Sequence, residues 1–300
     1  MSWNVPVEKS KHDLRVLILS DPQMQGFQLE VSGIIGHITR WDACRYLKKT
    51  FAYALNQVKP DVVVILGDLL DEGYIASDDE FYQYKEWFED IYRVPETVKR
   101  IHLAGDNDIG GEDEPLGQTY SQGMRNILEQ LIEVIEFNKW QFLKLNTLSF
   151  LRYFRFSIPD EKIIYNNLNK YMKSSPQKLD DNKHTIVLSH LPLHYWDPNF
   201  AIKVLNNVNP RILFSGHDHK AKYRIYKLPS FTTEEHVVPT CSYRMGTSDI
   251  GIGIAILGEK GSFQYTVLRL PGRYSFLYFY GVVGALMFLY ILFFRSNRST

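Results

Sequence analysis

The chain has 300 residues, of which 45% are hydrophobic and 23% are charged, as in an ordinary globular protein. Its 34 lysine and arginine residues equal its 34 aspartate and glutamate residues, so its charge does not favour nucleic acid and we expect no nucleic-acid partner. The two cysteines, Cys44 and Cys241, exclude a disulfide scaffold and lack the spacing of a zinc site. The length allows one large domain with an appendage.

The predicted elements alternate strands and helices, which indicates an α/β fold. A helix at 40–58 places Leu47, Phe51 and Leu55 on one apolar face, and it also places Cys44 there as an expected buried thiol. This helix would join two strands in a β-α-β unit. We predict further helices at 78–92 and 161–172, and loops at 108–123 and 173–183. The strands predicted after residue 219 are 223–228, 250–257 and 262–270.

Five short polar motifs follow apolar runs that are predicted strands. The runs are LRVLILS, DVVVIL, RIHLA, TIVL and RILFS. The motif residues that carry ligand-type side chains are Asp21, Gln23, Asp68, Asp71, Asp106, Asn107, Asp108, His190, His217, Asp218 and His219. Carboxylate, amide and imidazole groups delivered from successive strand ends are how a protein builds a two-metal hydrolytic centre. The number and order of the motifs therefore predict a site for two divalent metal ions.

The motif order resembles the calcineurin-like metallophosphoesterase superfamily, which reads Asp-x-His, Gly-Asp-x-x-Asp, Gly-Asn-His-Asp/Glu, His and Gly-His-x-His. The resemblance covers roughly residues 14–219. It implies a metal-dependent phosphoric ester hydrolase with a four-layer α-β-β-α sandwich and the motif loops along one sheet edge. It also implies metal ligands, position by position: Asp21 and His219 for one ion, Asp106, His190 and His217 for the other, and Asp68 as the bridge.

The chemistry of a dimetal centre supports these assignments independently. Two cations about 3.5–4 Å apart need a shared anionic ligand, and a carboxylate such as Asp68 suits that position. A ligand histidine must be neutral, with its other ring nitrogen held by a hydrogen-bond acceptor. The candidates for that acceptor are Asp71, Asp108 and Asp218, each one to three residues from a proposed ligand.

Three positions depart from the family pattern. Gln23 stands where the family usually has a ligand histidine, and Asp106 replaces a ligand asparagine. Asn107 replaces the histidine that donates a proton or steadies the leaving oxygen, and asparagine cannot act as an acid. That loss costs about 10²–10⁴ in rate if proton donation is essential, and little if a metal or another acid meets the leaving group. His194, four residues past His190, is a candidate for that acid.

Residues 274–294 form an uncharged stretch of 21 residues, YSFLYFYGVVGALMFLYILFF. A hydrocarbon core of about 30 Å requires about 20 such residues in a helix. Arg273 precedes the stretch, and Arg295 and Arg298 follow it, so a buried core helix is the weaker alternative. We therefore predict a metallophosphoesterase domain at 1–270, a transmembrane helix at 274–294 and a short basic tail at 295–300, giving a single-pass membrane protein.

Two indications disagree on which side of the membrane the catalytic domain lies. The positive-inside tendency places the arginine-containing tail in the cytosol and the domain in the lumen or exterior. Residues 1–20 do not resemble a signal peptide, which by itself indicates a tail anchor with a cytosolic enzyme.

A narrower resemblance rests on Asp-Pro-Gln at 21–23, the sequence GDLLDEG at 67–73, NDIG at 107–110 and the C-terminal span. These features are similar to the membrane-bound, GPI-anchor-remodelling metallophosphoesterase 1 family. The resemblance implies Mn²⁺ as the ion, an endoplasmic reticulum or Golgi location, and a phosphodiester substrate. That substrate is the ethanolamine phosphate on a mannose of the GPI glycolipid, removed during transport of GPI proteins. Arg244 either contacts a phosphate oxygen or is an ordinary surface residue.

Two other functions remain open at this point. One is a cytosol-facing phosphoesterase with another substrate, such as a nucleotide or a phosphoprotein. The other is a metal-bound, non-catalytic trafficking protein in which Asn107 has removed the activity.

Overall fold

The computed structural model describes residues 13–109, 132–148, 179–195 and 198–296. The strands in these ranges are β1 Leu14–Leu19, β2 Val62–Ile65, β3 Lys99–His102, β4 Ile132–Phe137, β5 Trp140–Leu145, β6 His184–Ser189, β7 Ile212–Ser215, β8 Lys222–Lys227, β9 Thr232–Val237, β10 Gly251–Leu257 and β11 Phe263–Arg269. The helices are α1 Gly33–Val58, α2 Asp78–Ile91, α3 Asp106–Ile109, α4 Pro198–Val208 and α5 Tyr274–Ser296. The predicted helix at 161–172 and most of the predicted loops at 108–123 and 173–183 lie outside the described residues.

The described strands form two mixed sheets. The first has the order β11-β10-β1-β2-β3, with β1, β2 and β3 parallel and β10 antiparallel to both of its neighbours. The second has the order β4-β5-β6-β7-β9-β8, in which β5, β6, β7 and β9 run parallel. Short parallel strands with buried faces on both sides need covering layers, which explains their continuous apolar sequences.

Alternating residues of β1 separate the two faces of the first sheet. Val16 and Ile18 lie in a buried cluster with Phe142 and Ile186 of the second sheet, so the two sheets pack face to face. Residues on the opposite faces pack with the helices in a second cluster, in which Leu17 is one of the β1 side chains. The predicted α-β-β-α sandwich is therefore confirmed.

Helix α1 lies on the outer face of the first sheet and carries the predicted apolar stripe. Leu47, Phe51, Ala54 and Val58 are buried there, while Cys44 is only half-buried, contrary to the expected buried thiol. The helix begins at Gly33, seven residues before the predicted start at 40. The early turns escaped prediction because their apolar residues are mostly exposed and do not continue the buried stripe.

Helix α2 confirms the prediction at 78–92 within one residue. Its start is fixed by a capping box in which Ser77 and Glu80 satisfy each other's backbone N–H groups. The strands predicted at 223–228, 250–257 and 262–270 correspond to β8, β10 and β11. Strands β4, β5 and β9 and helix α4 were not predicted from the sequence.

Helix α5 extends from the end of the sandwich. Its residues Tyr274–Phe294 are long and apolar enough to cross a membrane, and none of the most apolar window is buried. Just before it, Arg273 donates to both carboxylate oxygens of Asp42 on α1, at 3.0 Å from Nε and 2.5 Å from Nη2. The hydroxyl of Tyr46 donates to the Pro271 carbonyl at 2.9 Å. These contacts join the base of α5 to α1.

Candidate metal centre

The five motifs meet at one edge of the sandwich because each begins where a parallel strand ends. Strands β1, β2 and β3 end directly before or close to the first three motifs, and β6 and β7 end at the other two. Side chains outside the carboxyl ends of parallel strands share one crevice. The structure therefore brings together residues that are far apart in the sequence.

Two groups of side chains have ligand-type atoms close enough to hold a metal ion. Asp106, His190 and His217 form one group, and Asp21, Asp68 and His190 form the other. Within each group the potential ligand atoms all lie within 4.8 Å of one another. His190 belongs to both groups, so the two candidate positions are adjacent.

His190 is oriented by a backbone carbonyl. Its Nδ1 donates to the carbonyl oxygen of Leu66 at 2.8 Å, and its Nε2 lies 2.8 Å from Asp106 Oδ1 and 3.4 Å from Asp68 Oδ1. Burial by itself would lower the pKa of His190, but the two carboxylates outweigh burial and raise it well above the ordinary value. The position beside Nε2 thus favours a positive charge, which a metal cation supplies as well as a proton.

Asp106 accepts from two imidazoles at one oxygen. Its Oδ1 lies 2.8 Å from His190 Nε2 and 3.1 Å from His217 Nδ1. Burial opposes its ionisation, but these two hydrogen bonds prevail and hold the pKa of Asp106 below its ordinary value. An ionised carboxylate with two ring nitrogens converging on it suits a transition-metal cation.

Asp68 lies at the centre of the cluster and accepts hydrogen bonds at both oxygens. Asn107 donates to it twice, from the backbone N–H at 3.0 Å and from Nδ2 at 2.8 Å. Gln23 donates to it from Nε2 at 2.8 Å. Burial raises the pKa of Asp68 well above its ordinary value, and the nearby carboxylates of Asp106 and Asp21 add to the effect. Such a concentration of buried carboxylates fits a site that accepts cations.

Asp21 connects the first motif to the last. It is fully buried, accepts from the hydroxyl of Ser20 at 2.6 Å, and accepts from the backbone N–H of His217 at 3.1 Å. Gln23 presents its amide nitrogen to His219 Nε2, 3.2 Å away, as well as to Asp68. A ligand role for Gln23 requires its amide to turn so that the carbonyl oxygen faces the centre.

The backbone at the centre is strained. Five of the proposed ligands have φ angles in the left-handed region, where residues other than glycine are uncommon. They are Asp21 at 48°, Gln23 at 39°, Asp68 at 50°, His217 at 70° and His219 at 59°. Residues held in this region typically cluster at functional sites and cost about 1–3 kcal/mol each.

Two glycines allow the motifs to approach one another. Gly67 has φ of 101°, and a Cβ added to it would lie 2.6 Å from Nδ1 of His190. A Cβ added to Gly105 would lie 2.1 Å from Oδ1 of Asp68. Both contacts are far closer than a real side chain tolerates, so the packing of these two ligands requires glycine at both positions.

The three carboxylates expected to orient the histidines have other partners. Asp108 accepts backbone N–H bonds from Gly105, Leu69 and Leu70 at 2.7, 3.0 and 2.9 Å, which ties the second and third motifs together. Burial raises the pKa of Asp108 to about 6 although these bonds oppose it. Asp71 pairs with Arg244, and Asp218 bonds to Tyr195 and Lys222. None of the three candidates is the acceptor for His190 Nδ1, because the backbone carbonyl of Leu66 takes that position.

Glu72 is a structural residue that the sequence analysis quoted within GDLLDEG but gave no role. Its buried carboxylate accepts from the backbone N–H groups of Phe27, Gln28 and Leu29 at 2.5, 2.9 and 2.8 Å. It also accepts from the hydroxyl of Tyr84 at 2.6 Å. Glu72 thus fixes the loop that follows the first motif. In the sequence, the signal for this role was a glutamate directly beside a motif of metal-ligating residue types.

Arg244 and His194 lie at the periphery of the cluster. Arg244 pairs with Glu30 and Asp71 and donates to the carbonyl of Gln23 at 3.3 Å. Its guanidinium therefore holds neighbouring loops together in this structure. His194 lies in a short 3₁₀ turn, Leu193–Tyr195, with its ring centroid 4.8 Å from that of Tyr195. The Tyr195 ring is in turn 5.5 Å from the His217 ring, and proton donation by His194 remains a prediction.

Residues 14–221 match the family model of the calcineurin-like phosphoesterases. The chain therefore belongs to this family, and it is a metal-dependent phosphoester hydrolase. The family uses dimetal centres, and the described residues include candidate ligand groups for one.

Several curated proteins are similar to this chain. One is a "Metallophosphoesterase 1 homolog" of Caenorhabditis elegans, which is 24% identical over 262 residues, or 80% of this chain and 71% of the nematode protein. "Metallophosphoesterase 1" of Danio rerio is 30% identical over 155 residues, or 50% of this chain and 36% of the fish protein. The matched part of the Drosophila melanogaster homolog is only 25% of that protein. The matches to the fish and fly proteins thus cover less than half of those proteins' own length.

The solved structures that match this chain include a dimetal phosphatase from Danio rerio. It is 12% identical, with a TM-score of 0.48, and the match covers 85% of this chain and 98% of that one.

Proposed function

We propose that this chain is a membrane-anchored phosphodiesterase whose dimetal centre acts on a lipid-borne phosphodiester. The proposed substrate is the ethanolamine phosphate on a mannose of the GPI glycolipid, removed during remodelling and transport from the endoplasmic reticulum to the Golgi. One observation carries the proposal: the sandwich that holds the ligand cluster around Asp68 is joined at Asp42 and Tyr46 to the base of the apolar helix α5. The similarity to proteins named metallophosphoesterase 1 supports it.

The proposed ligand assignment is the one that the family resemblance implies. Asp106, His190 and His217, which form one of the two groups, would hold one ion. Asp21 and His219 would hold the other with Asp68 as the bridge, although the second group joins Asp21 and Asp68 to His190 and does not include His219. Gln23 would complete the second set after its amide turns. The support for this assignment is the convergence of the ring nitrogens on Asp106 and the burial of all three carboxylates.

Two divalent ions, for which we propose Mn²⁺, would supply Lewis-acid stabilisation of the charge that builds on the phosphoryl group and would activate the attacking water. The chain's own residues hold the donor atoms in place. Asn107 orients both oxygens of Asp68, and the Leu66 carbonyl keeps the proton of His190 on Nδ1. For the leaving group we propose His194 as the proton donor. Burial and the cation of Arg224 lower the pKa of His194, however, which favours the neutral ring.

The experiment uses the full chain in phospholipid nanodiscs with added Mn²⁺. We expect hydrolysis of a soluble aryl phosphodiester and release of ethanolamine phosphate from purified GPI glycolipid, detected by mass spectrometry. The same preparation stripped with a chelator and not reloaded is the control. Hydrolysis of the aryl diester without any release from GPI would indicate the alternative phosphoesterase with another substrate. If the metal-loaded chain hydrolyses neither substrate, the result would indicate the alternative of a metal-bound, non-catalytic protein.

Membrane sidedness provides a second test. A GPI substrate in the lumen requires the catalytic domain to face the lumen. We therefore expect the domain to resist protease added to intact microsomes and to be digested once detergent is present. Digestion in intact microsomes would indicate the cytosol-facing alternative.

A further inference from the structure

Six large apolar side chains lie exposed on one side of the sandwich. They occupy the loop after the first motif and the first turns of α1, and in the part of the chain that the structure describes they are 58–79% exposed. We call them the apolar ridge: Leu29, Val31, Ile34, Ile35, Ile38 and Trp41. Six exposed apolar residues within the thirteen positions 29–41, rather than spread singly over the surface, are typical of a binding surface.

Helical geometry aligns three of the four ridge residues of α1 into a stripe. At 100° per residue, Ile34, Ile38 and Trp41 fall within an arc of about 60° on α1. The buried stripe formed by Leu47, Phe51 and neighbours faces the sheet. The ridge therefore adds a second apolar face at the start of a helix whose first face is already packed.

The ridge is continuous with the base of α5. Asp42 follows Trp41 directly and binds Arg273, and the Tyr46 hydroxyl binds the Pro271 carbonyl one turn further on. From Ile34 to Asp42 the distance along the helix is about 12 Å at 1.5 Å per residue. That distance is less than the half-thickness of a hydrocarbon core of about 30 Å. The ridge therefore lies within that reach of the base of α5, where a bilayer entered by α5 would begin.

Basic residues flank the ridge. The guanidinium of Arg45 lies 5.3 Å from the ring centroid of Trp41, and that of Arg40 lies 4.4 Å from the centroid of Phe27. The single acidic residue of α1, Asp42, is paired with Arg273. A helix with an apolar face bearing tryptophan, and with arginine and lysine beside it, is typical of a segment lying in an anionic lipid–water interface.

From these contacts we propose that the apolar ridge inserts into the headgroup region of the same bilayer that holds α5. The proposal rests on the membrane anchoring put forward under the proposed function. The binding partner of the ridge is a lipid surface, because the ridge adjoins the base of a helix with the composition of a membrane span.

The ridge is rigidly joined to the metal centre. Glu72, four residues after Asp68, binds the backbone of Phe27 to Leu29, and Arg244 links Glu30 to the carbonyl of Gln23. Insertion of the ridge would therefore set the orientation of the centre relative to the lipid surface. This arrangement suits a phosphodiester that is carried on a lipid.

The first test measures insertion directly. The full chain is reconstituted in phosphatidylcholine–phosphatidylserine vesicles containing lipid brominated near the headgroup, which quenches nearby tryptophan. Helix α5 contains no tryptophan, so the anchor itself contributes no signal. We expect wild-type fluorescence to be quenched and Trp41→Phe to lose most of that quenching. Equal quenching of the two proteins, or none in wild type as expected for a ridge covered by a protein, would overturn the proposal.

The second test measures orientation by comparing two substrates. The triple variant Ile34→Ser, Ile35→Ser, Ile38→Ser should retain activity on a soluble aryl phosphodiester. Its rate of hydrolysis of the same diester linked to a vesicle lipid should fall about tenfold, because interfacial affinity scales with buried apolar area. Ile202→Ser with Ile225→Ser, two residues about half exposed elsewhere, is the matched control and should change neither rate. Equal loss on both substrates, or no loss on the vesicle substrate, would contradict the proposal.

Vesicle flotation tests membrane anchoring by α5 separately from insertion of the ridge. Both the wild type and the triple variant should float with vesicles, since α5 remains intact. A wild type that does not float would refute the anchor of the proposed function, and with it the insertion of the ridge. A wild type that floats without quenching at Trp41 refutes only the ridge.

Discussion

The Nδ1 atom of His190 lies 2.8 Å from the carbonyl oxygen of Leu66, the last residue before the second motif. A carbonyl only accepts, so Nδ1 always carries a proton, and the Nε2 proton donated to Asp106 is the one that a metal ion would replace. The backbone of one motif thus selects the tautomer of a histidine in another. The close approach that permits this bond depends on the neighbouring glycine, Gly67.

Replacing Gly67 should therefore disturb the centre. Gly67→Ala places a Cβ 2.6 Å from the His190 ring at a φ of 101°, whereas Gly246→Ala at a φ of 63° meets nothing within 4 Å. Both variants carry the strain of positive φ, about 1 kcal/mol, but only Gly67→Ala adds a collision. We expect Gly67→Ala to lower the free energy of unfolding by at least about 2 kcal/mol more than Gly246→Ala and to weaken metal binding. Equal urea midpoints and equal metal contents would contradict this reading.

Glu72 should stabilise the loop that bears Leu29. Glu72→Gln keeps the shape of the side chain but replaces an oxygen that accepts backbone N–H bonds with a donor, leaving buried N–H groups unpaired. We expect a loss of about 2–4 kcal/mol by urea denaturation. Tyr84→Phe, which removes one hydroxyl from the same carboxylate, should cost about 1 kcal/mol.

Hydrogen exchange then localises the effect. The amides of Phe27, Gln28 and Leu29 should exchange faster in Glu72→Gln, while those of the central strands keep their protection relative to global stability. Uniformly faster exchange in every element, without a larger change in this loop, would contradict the role given to Glu72.

The stability of the metal-free protein should depend on pH through His102. Burial, with the cations of Lys144 and Arg100, lowers the pKa of His102 to about 4 from an unfolded value of 6.5. Between these values the unfolded chain binds the proton more tightly, so stability rises with pH from about 4 to about 6.5 and levels off above. The contribution is at most about 3 kcal/mol.

Thermal unfolding with chelator present measures this dependence. His102→Gln should show a shallower rise in Tm between pH 4 and 6.5 than the wild type. His37→Gln, on the exposed side of α1, is the matched control and should follow the wild-type curve. Parallel curves for His102→Gln and wild type would exclude His102 as the source.

Asn107 tests how the leaving group is assisted. It cannot act as an acid, and its amide is bonded to Asp68. If the metals assist the leaving oxygen, Asn107→His should accelerate an alkyl phosphodiester only modestly and leave an activated aryl diester almost unchanged. The ratio of the two rates within one preparation cancels differences in protein quality. Equal acceleration of both substrates would mean that residue 107 acts on phosphate binding instead.

The sequence predicted that the motifs converge because each motif carries its ligand-type residues close to the strand that positions them. Each motif directly follows a buried strand, so parallel strands deliver Asp21, Asp68, Asp106, His190 and His217 to one edge. The apolar helix α5 was equally predictable, since 21 uncharged residues form one uninterrupted run.

Features that depend on contacts between residues far apart in the chain could not be predicted from the sequence. The hydrogen-bond acceptor for Nδ1 of His190 is a backbone carbonyl. Every residue has such a carbonyl, so residue types do not indicate which one accepts. Strand β9, TTEEHV, lacks clear apolar alternation because its buried residues include Thr233 and Glu235. The carboxylate of Glu235 accepts from the backbone N–H of Leu193, a contact that the sequence does not show. The start of α1 was missed because its exposed residues do not pack on the sandwich.

The most direct test of the dimetal centre is the metal content of Asp68→Asn, measured by elemental analysis after loading with Mn²⁺. We expect two ions per wild-type chain and fewer than one in the variant, because the bridging charge is lost. Asp218→Asn, a nearby carboxylate bonded to Tyr195 and Lys222, should retain both ions. A chelator should lower the Tm of the wild type and leave that of Asp68→Asn unchanged, since only a bound ion stabilises the folded state. Two ions bound to Asp68→Asn, or none bound to the wild type, would contradict the account.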